Sequence, residues 1–266
     1  MTRRSVASNV KVSGLFVALL TPFDTSGQLD RAALTGLVEH TLRDGVDGVV
    51  ALGTTGEFAD LTPGERLAVV ETTVAAVRGR VPVAVGIGAL GTAEACAHAV
   101  VAKDAGADAV LSLPPLFWKL DDAELFEHFA TVARATDLPV LLYDIPVFAG
   151  ASLSPALVRR IAEELPSVVG IKLTVPDFGS ISSVLAAVKP VRPDFSVTVG
   201  FEDLGWARCW REPTGSSAAW RTSPRRPCAP SSTRSAPATC RLPPPRTPRC
   251  CASSRSTSRP IRRSSR

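Results

Sequence analysis

Between Gly14 and Gly200 the chain repeats one pattern: a short unbroken apolar run, then a longer stretch whose apolar residues recur at helical spacing. The runs are Leu15–Leu20, Gly48–Leu52, Val83–Ile87, Ala109–Leu113, Val140–Tyr143, Val168–Leu173 and Phe195–Val199. Helical periodicity falls near residues 30–44, 64–78, 92–105, 121–135, 154–164 and 177–188. Unbroken rather than alternating apolar runs imply strands covered on both faces, as in a parallel sheet. Parallel strands need long crossovers, which the helical stretches supply. Thr62-Pro63-Gly64-Glu65 and Ser154-Pro155 set a cap residue before a first-turn proline. Asp44-Gly45, Ala105-Gly106 and Asp137-Leu138-Pro139 mark helix exits.

Seven such units fit either a doubly wound sheet or a TIM barrel. No Gly-x-Gly-x-x-Gly turn follows the first strand, which weighs against the dinucleotide-binding version. Gly86-Ile87-Gly88-Ala89-Leu90-Gly91 has that spacing, but after the third strand, and a lone match is weak. The expected fold is therefore α/β: a TIM (β/α)8 barrel over residues 13–204, incomplete at about seven strands, behind a flexible N-terminus of residues 1–12.

After Leu204 the pattern collapses. Residues 205–266 contain two members of the set Val, Ile, Leu, Met and Phe (Leu242 and Ile261), against 10 prolines and 12 serines. So little apolar area cannot offset a chain entropy of roughly 1–2 kcal/mol per residue, and the segment is expected to be a disordered basic tail. The net charge of +5 conceals this border. Residues 1–204 hold 16 Lys+Arg against 24 Asp+Glu, whereas residues 205–266 hold 14 Arg against the single acid Glu212. Of the cysteines, Cys96 precedes the border while Cys209, Cys228, Cys240, Cys250 and Cys251 follow it, so they do not read as a disulfide framework. Two explanations fit the tail. One is a basic segment for nucleic acid or acidic surfaces. The other, which the composition favours, is translation out of register. The codons allowed for residues 205–224, read two bases in, can spell Leu-Gly-Ala-Leu-Leu-Ala-Gly-Ala-Asp-Gly-Leu-Val followed by further apolar residues, which is a helix, a turn and a strand. One base lost or two gained near codon 204 would produce the change.

No apolar run reaches the roughly 18–20 residues of a membrane span. Met1-Thr2-Arg3-Arg4-Ser5 leads into no apolar segment, so no signal peptide is expected and a cytoplasmic location is.

Sites of TIM barrels lie at the C-terminal ends of the strands. Three features fall there. Lys172 closes the run Val168-Val169-Gly170-Ile171; an amine among core residues loses its charge more easily and can attack a ketone. The alternative is a lysine that snorkels to solvent. Tyr143, the only tyrosine, ends the fifth run, where a phenol could move protons or could simply be a core side chain. Gly53-Thr54-Thr55-Gly56-Glu57 supplies small residues, two hydroxyls and backbone N–H groups suited to a carboxylate, or forms an ordinary turn. No Gly-Lys-Ser/Thr follows, which excludes a P-loop.

Taken together, Gly-Thr-Thr-Gly-Glu, Tyr-Asp-Ile-Pro at residues 143–146 and Gly-Ile-Lys at 170–172 resemble the dihydrodipicolinate synthase/N-acetylneuraminate lyase family. The opening Gly14-Leu15-Phe16-Val17-Ala18-Leu19-Leu20-Thr21-Pro22-Phe23 and Pro114-Pro115 resemble it too. The resemblance covers about residues 13–204. It implies a class I lyase in which Lys172 forms an imine with pyruvate or a 2-keto-3-deoxy sugar acid. Tyr143 would shuttle protons, Thr54 would hydrogen-bond Tyr143, and Thr55, flanked by Gly53 and Gly56, would hold the keto-acid carboxylate. It further implies a small-molecule 2-keto acid and an aldehyde as substrates, no cofactor or metal, and a homo-oligomer, dimer or tetramer.

Two positions depart from the synthase pattern. Synthases usually place a second tyrosine after strand four, where Phe117 stands, and an arginine two residues after the Tyr-x-x-Pro motif, where Phe148 stands. Losing a bidentate carboxylate anchor changes what is recognised. Phe117 and Phe148 are thus expected to meet a sugar-acid chain, and so are Gly200 and Glu202, because Gly200-Phe201-Glu202-Asp203 resembles the lyase region that contacts such a chain; dihydrodipicolinate synthase is the alternative. An inactive, truncated barrel and a nucleic-acid binder acting through the arginine tail are the readings from other classes.

Overall fold

The computed structural model describes residues 12–201 and 220–221. All lie in the first of two compact units, Met1–Arg226; the second unit, Pro227–Arg266, lies outside the described residues. The expectations of a flexible N-terminus through residue 11 and of a disordered tail also fall outside them, apart from residues 220–221. Val12 is buried, and its carbonyl accepts from Ser196 Oγ at 2.6 Å.

Seven parallel strands follow one another around the sheet: β1 (Phe16–Ala18), β2 (Gly48–Ala51), β3 (Val83–Gly86), β4 (Ala109–Ser112), β5 (Val140–Asp144), β6 (Val168–Leu173) and β7 (Ser196–Val199). Each pairs with its sequence neighbour, the arrangement of a (β/α) barrel wall. The expected seven strands are thus present. An eighth, β8 (Trp220–Arg221), adds to them: it lies parallel to β1 with Phe16 opposite Trp220. Strand pairing engages backbone groups, so the unpaired edge of β1 accepts an extended segment whatever its side chains. The strands are buried along almost their whole length, which accounts for their unbroken apolar sequence.

The crossovers are α1 (Arg31–Arg43), α2 (Pro63–Val77), α3 (Thr92–Asp104), α4 (Asp122–Ala135), the four-residue α5 (Pro146–Ala149), α6 (Pro155–Glu164) and α7 (Phe178–Val188). Their starts are locally encoded. The Thr62 hydroxyl accepts from Glu65 N–H while the Glu65 carboxylate accepts from Thr62 N–H, with Pro63 in the first turn. Asp121 and Glu124 build the same reciprocal cap for α4. Ser154 and Asp177 cap α6 and α7.

One close approach shapes the rim. Leu52, just beyond β2, has φ +55, and its carbonyl swings over β3. A Cβ on Gly86 would lie 1.9 Å from that oxygen. Only glycine lets the end of β2 curl inward there, which delivers residues 53–57 to the mouth of the sheet.

Candidate active site

β5 and β6 pair with Tyr143 opposite Lys172, so both side chains leave the same face of the sheet. Lys172 Nζ lies 4.2 Å from the centroid of the Tyr143 ring. Lys172 is 6 % exposed and Tyr143 is also buried. Burial lowers the lysine pKa from its ordinary value, opposed by the charge interaction and hydrogen bonding with Tyr143. A desolvated amine spends more of its time neutral and nucleophilic.

The inner face is identified by a contact across the mouth. Thr54, which follows β2, places its Oγ1 3.4 Å from the Tyr143 hydroxyl, although their strands are not neighbours. That distance is long for a hydroxyl pair. Residues Thr54–Gly56 form one short 3-10 turn and Phe58–Asp60 another. Gly56 N–H donates to Gly53 C=O and Glu57 N–H to Thr54 C=O, while Gly56 C=O accepts from Thr21 Oγ1 at 2.7 Å. The turn therefore uses the Gly56 and Glu57 amides internally and leaves those of Thr54 and Thr55 at its open start.

Gly200 follows β7, beside the lysine. Its N–H donates to Leu173 C=O, and a Cβ there would sit 3.2 Å from Lys172 Cε and 1.9 Å from Thr174 Oγ1. The glycine thus leaves the space through which the lysine stem passes. Thr174 was missed by sequence reasoning. Its Oγ1 is buried without a hydrogen-bond partner among the described residues, next to the lysine. The available signal was the period of two: residues 172 and 174 share one face of a strand.

A second cavity, of about 330 Å³, opens beside Thr54, lined by Glu57, Phe58, Leu113, Leu116 and Phe148 among others. Phe148, on α5, is 61 % exposed and forms one wall. Phe117 stands further out. It has φ +76 and is 79 % exposed, with its ring edge-on to Trp118 at 5.4 Å. The structure therefore brings together Lys172, Tyr143, Thr54 and Gly200, sets Gly53, Thr55 and Gly56 in the adjoining turn, and places Phe148 at the rim and Phe117 outside it. Glu202 lies outside the described residues. Among the described residues no cluster of three or more His, Cys, Asp or Glu could hold a metal ion, and no helix is long and apolar enough to cross a membrane.

A parallel (β/α) wall with a buried lysine under a phenol at its strand ends defines a class of barrel proteins. Within it, the chain belongs to the dihydrodipicolinate synthetase family, whose model matches residues 11–211. The chain is 37% identical over 193 residues to the Escherichia coli K12 protein "Probable 2-dehydro-3-deoxy-D-pentonate aldolase YjhH", covering 73% of this chain and 64% of that one. It is 38% identical over 187 residues to the 4-hydroxy-tetrahydrodipicolinate synthase of Bacillus subtilis, covering 70% and 63%. It also superposes on the crystal structure of YagE, a prophage protein of the dihydrodipicolinic acid synthase family from E. coli K12 in complex with pyruvate. There the TM-score is 0.75 at 33% identity, covering 79% of this chain and 70% of that one. The chain spans less than two thirds of the length of these curated relatives.

Proposed function

We propose that the chain is, or derives from, a Schiff-base-forming lyase that acts on pyruvate or a 2-keto-3-deoxy sugar acid through Lys172. One observation carries this reading: a buried amine 4.2 Å from the ring of a phenol whose hydroxyl meets Thr54. In the cleavage direction, neutral Lys172 Nζ attacks the C2 ketone and water leaves, forming a protonated imine. Loss of the proton from the C4 hydroxyl then breaks the C3–C4 bond. The aldehyde departs, and the bonding electrons pass into the imine to give an enamine. Protonation at C3 and hydrolysis release pyruvate and the free amine. Tyr143 moves the protons, and Thr54 orients its hydroxyl. Thr55, between Gly53 and Gly56, holds the carboxylate with its hydroxyl and amide. Gly200 gives the lysine room, and Phe148 at the rim, with Phe117 further out, meets the remainder of the substrate; Glu202 is assigned to the same chain of the substrate by the family resemblance.

The phenylalanines at 117 and 148 favour an aldol over aspartate semialdehyde, whose carboxylate would want a cation at 148. The synthase activity of other family members is the second reading. We further propose that residues 205–266 are encoded out of frame and that the frame-corrected protein is a cytoplasmic homo-oligomer; the reading from another class is an inactive barrel. Sequencing the gene around codon 204 tests the frame.

The test of the chemistry is reduction with borohydride in the presence of pyruvate, followed by peptide mass spectrometry of this chain and of a frame-corrected version. A pyruvyl adduct on Lys172 is expected. A folded, frame-corrected protein that gains no adduct, or gains it on another lysine, would overturn the reading.

A further inference from the structure

Asp144 ends β5 immediately after Tyr143, so the strand pleat turns its side chain to the opposite face, toward the helices. It is 3 % exposed. Both hydrogen bonds to its carboxyl come from the chain returning past α5: Leu153 N–H reaches Oδ1 at 3.3 Å and Ser152 Oγ reaches Oδ2 at 3.4 Å. The carboxyl also borders a cavity of about 440 Å³ between the ends of β5 and β6 and the starts of α6 and α7, shared with Ser154, Asp177 and Ser180. The other hydrogen-bonding groups there are already engaged. Asp177 accepts from the Gly179 and Ser180 amides, and Ser154 Oγ donates to Asp122.

Residues 145–153 therefore form a closed loop held at both ends by one residue: covalently where the loop leaves Asp144, and by hydrogen bonds where it returns. The crest of that loop is α5, ended by Gly150 at φ +74, and α5 carries Phe148. Phe148 is the wall of the cavity beside Thr54. The loop tied to a side chain on the outer face of β5 thus carries a residue that lines the cavity on the inner face.

We propose that Asp144 is a positioning residue: by closing the 145–153 loop from behind β5, it fixes the Phe148 wall opposite Thr54 and so sets the fit of the second, aldehyde substrate. The part concerning the aldehyde rests on the Schiff-base reading; the part concerning the loop does not. Burial pushes the carboxyl up to about 6, and its two hydrogen bonds offset this only in part.

Two measurements on the full chain and its frame-corrected form test this. The first is hydrogen exchange of the Leu153 amide and of β6 in wild type, Asp144→Ala, Asp144→Asn and the milder Ser152→Ala. Asp144→Ala should raise exchange at Leu153 by about tenfold or more and leave β6 unchanged, because local opening exposes only the loop. Asp144→Asn keeps an oxygen acceptor and should restore protection; Ser152→Ala should fall between. Unchanged exchange at Leu153 in both Asp144→Ala and Ser152→Ala overturns the proposal, as does equal loosening of β6. The second is aldol addition of pyruvate to glycolaldehyde, the two-carbon fragment that cleavage of a 2-keto-3-deoxypentonate leaves. Asp144→Ala should raise KM for glycolaldehyde by about fivefold while pyruvate trapping at Lys172 stays within about twofold, and Asp144→Asn should rescue it. An unchanged KM overturns the aldehyde part. Wild type that traps no pyruvate overturns the Schiff-base reading instead, and hydrogen exchange still decides the loop.

Discussion

Tyr143 and Lys172 face each other in register on neighbouring strands, with the lysine amine over the phenol ring at 4.2 Å. Neither side chain needs a loop to hold it: each is fixed by a strand within the buried sheet. Replacing Lys172 by Arg keeps a cation there but removes the nucleophile, since guanidinium does not lose its proton. Lys172→Arg is expected to abolish borohydride-dependent pyruvate incorporation, measured by intact mass, in the frame-corrected protein.

The phenol acts differently. Tyr143→Phe removes the proposed proton carrier and the partner of Thr54 while keeping the ring against the lysine. Turnover should fall by about 10²–10⁴-fold, the usual contribution of general acid–base catalysis. Trapped imine should still accumulate on long incubation. Steady-state assays beside single-turnover trapping separate the two effects.

Lys172 and Asp144 both titrate away from their ordinary values, in ways that give distinct pH signatures. The lysine pKa is lowered by burial, so imine formation should rise with pH through a midpoint below the ordinary lysine range. Asp144 is raised from 3.8 to about 6. The folded state therefore holds its proton more tightly than the unfolded one. The associated stability is complete below pH 3.8 and is lost as pH rises to about 6, a loss of roughly 3 kcal/mol at 1.36 kcal/mol per unit. Asp144→Asn should remove this dependence, so its stability relative to wild type, from urea melts, should climb between those pH values and then level.

At the opposite end of the sheet, Arg192 donates to four carbonyls between the end of α6 and the start of β6: Val168 at 2.7 Å, Pro166 at 2.9 Å, Ala162 at 3.2 Å and Leu165 at 3.4 Å. A fork of donors does this; a single ammonium does not. Arg192→Ala should cost about 2–3 kcal/mol, with Arg192→Lys recovering little, as read from denaturant midpoints. Pyruvate trapping should be unaffected while the protein is folded.

Gly86→Ala offers a backbone test. The new Cβ would meet the Leu52 carbonyl at 1.9 Å, so the end of β2 must shift. A loss of about 2–4 kcal/mol is expected, in the range of strained or overpacked sites. Imine trapping should weaken as well, because the shift displaces Thr54.

The long elements were legible because burial on both faces writes itself into composition. The run Val168–Leu173 is β6 residue for residue, and the stretch near 30–44 is α1, Arg31–Arg43. Lys172, Tyr143 and Thr54 were legible as strand-end residues; Lys172 meets Tyr143 through parallel register, whereas Thr54 reaches Tyr143 across the mouth from a strand that is not its neighbour. The turns Thr54–Gly56 and Phe58–Asp60 and helix α5 were not, since three or four residues carry no period. Thr174 and Asp144 escaped although the period of two sets Thr174 on the face of Lys172 and Asp144 on the face opposite Tyr143, because neither residue type marks a role until its partners are placed. β8 escaped because a backbone pairing leaves no mark on residue type. Phe117, at φ +76, is largely exposed and does not line the cavity beside Thr54.

The pleat at the end of β5 separates two inheritable traits by a single peptide bond. Tyr143 looks inward and Asp144 looks outward, so on the roles proposed above a mutation at one position alters bond-making while a mutation at its neighbour reshapes the wall around Phe148. On the same proposals, a lineage built on such a strand can exchange one aldehyde for another without disturbing the shared amine.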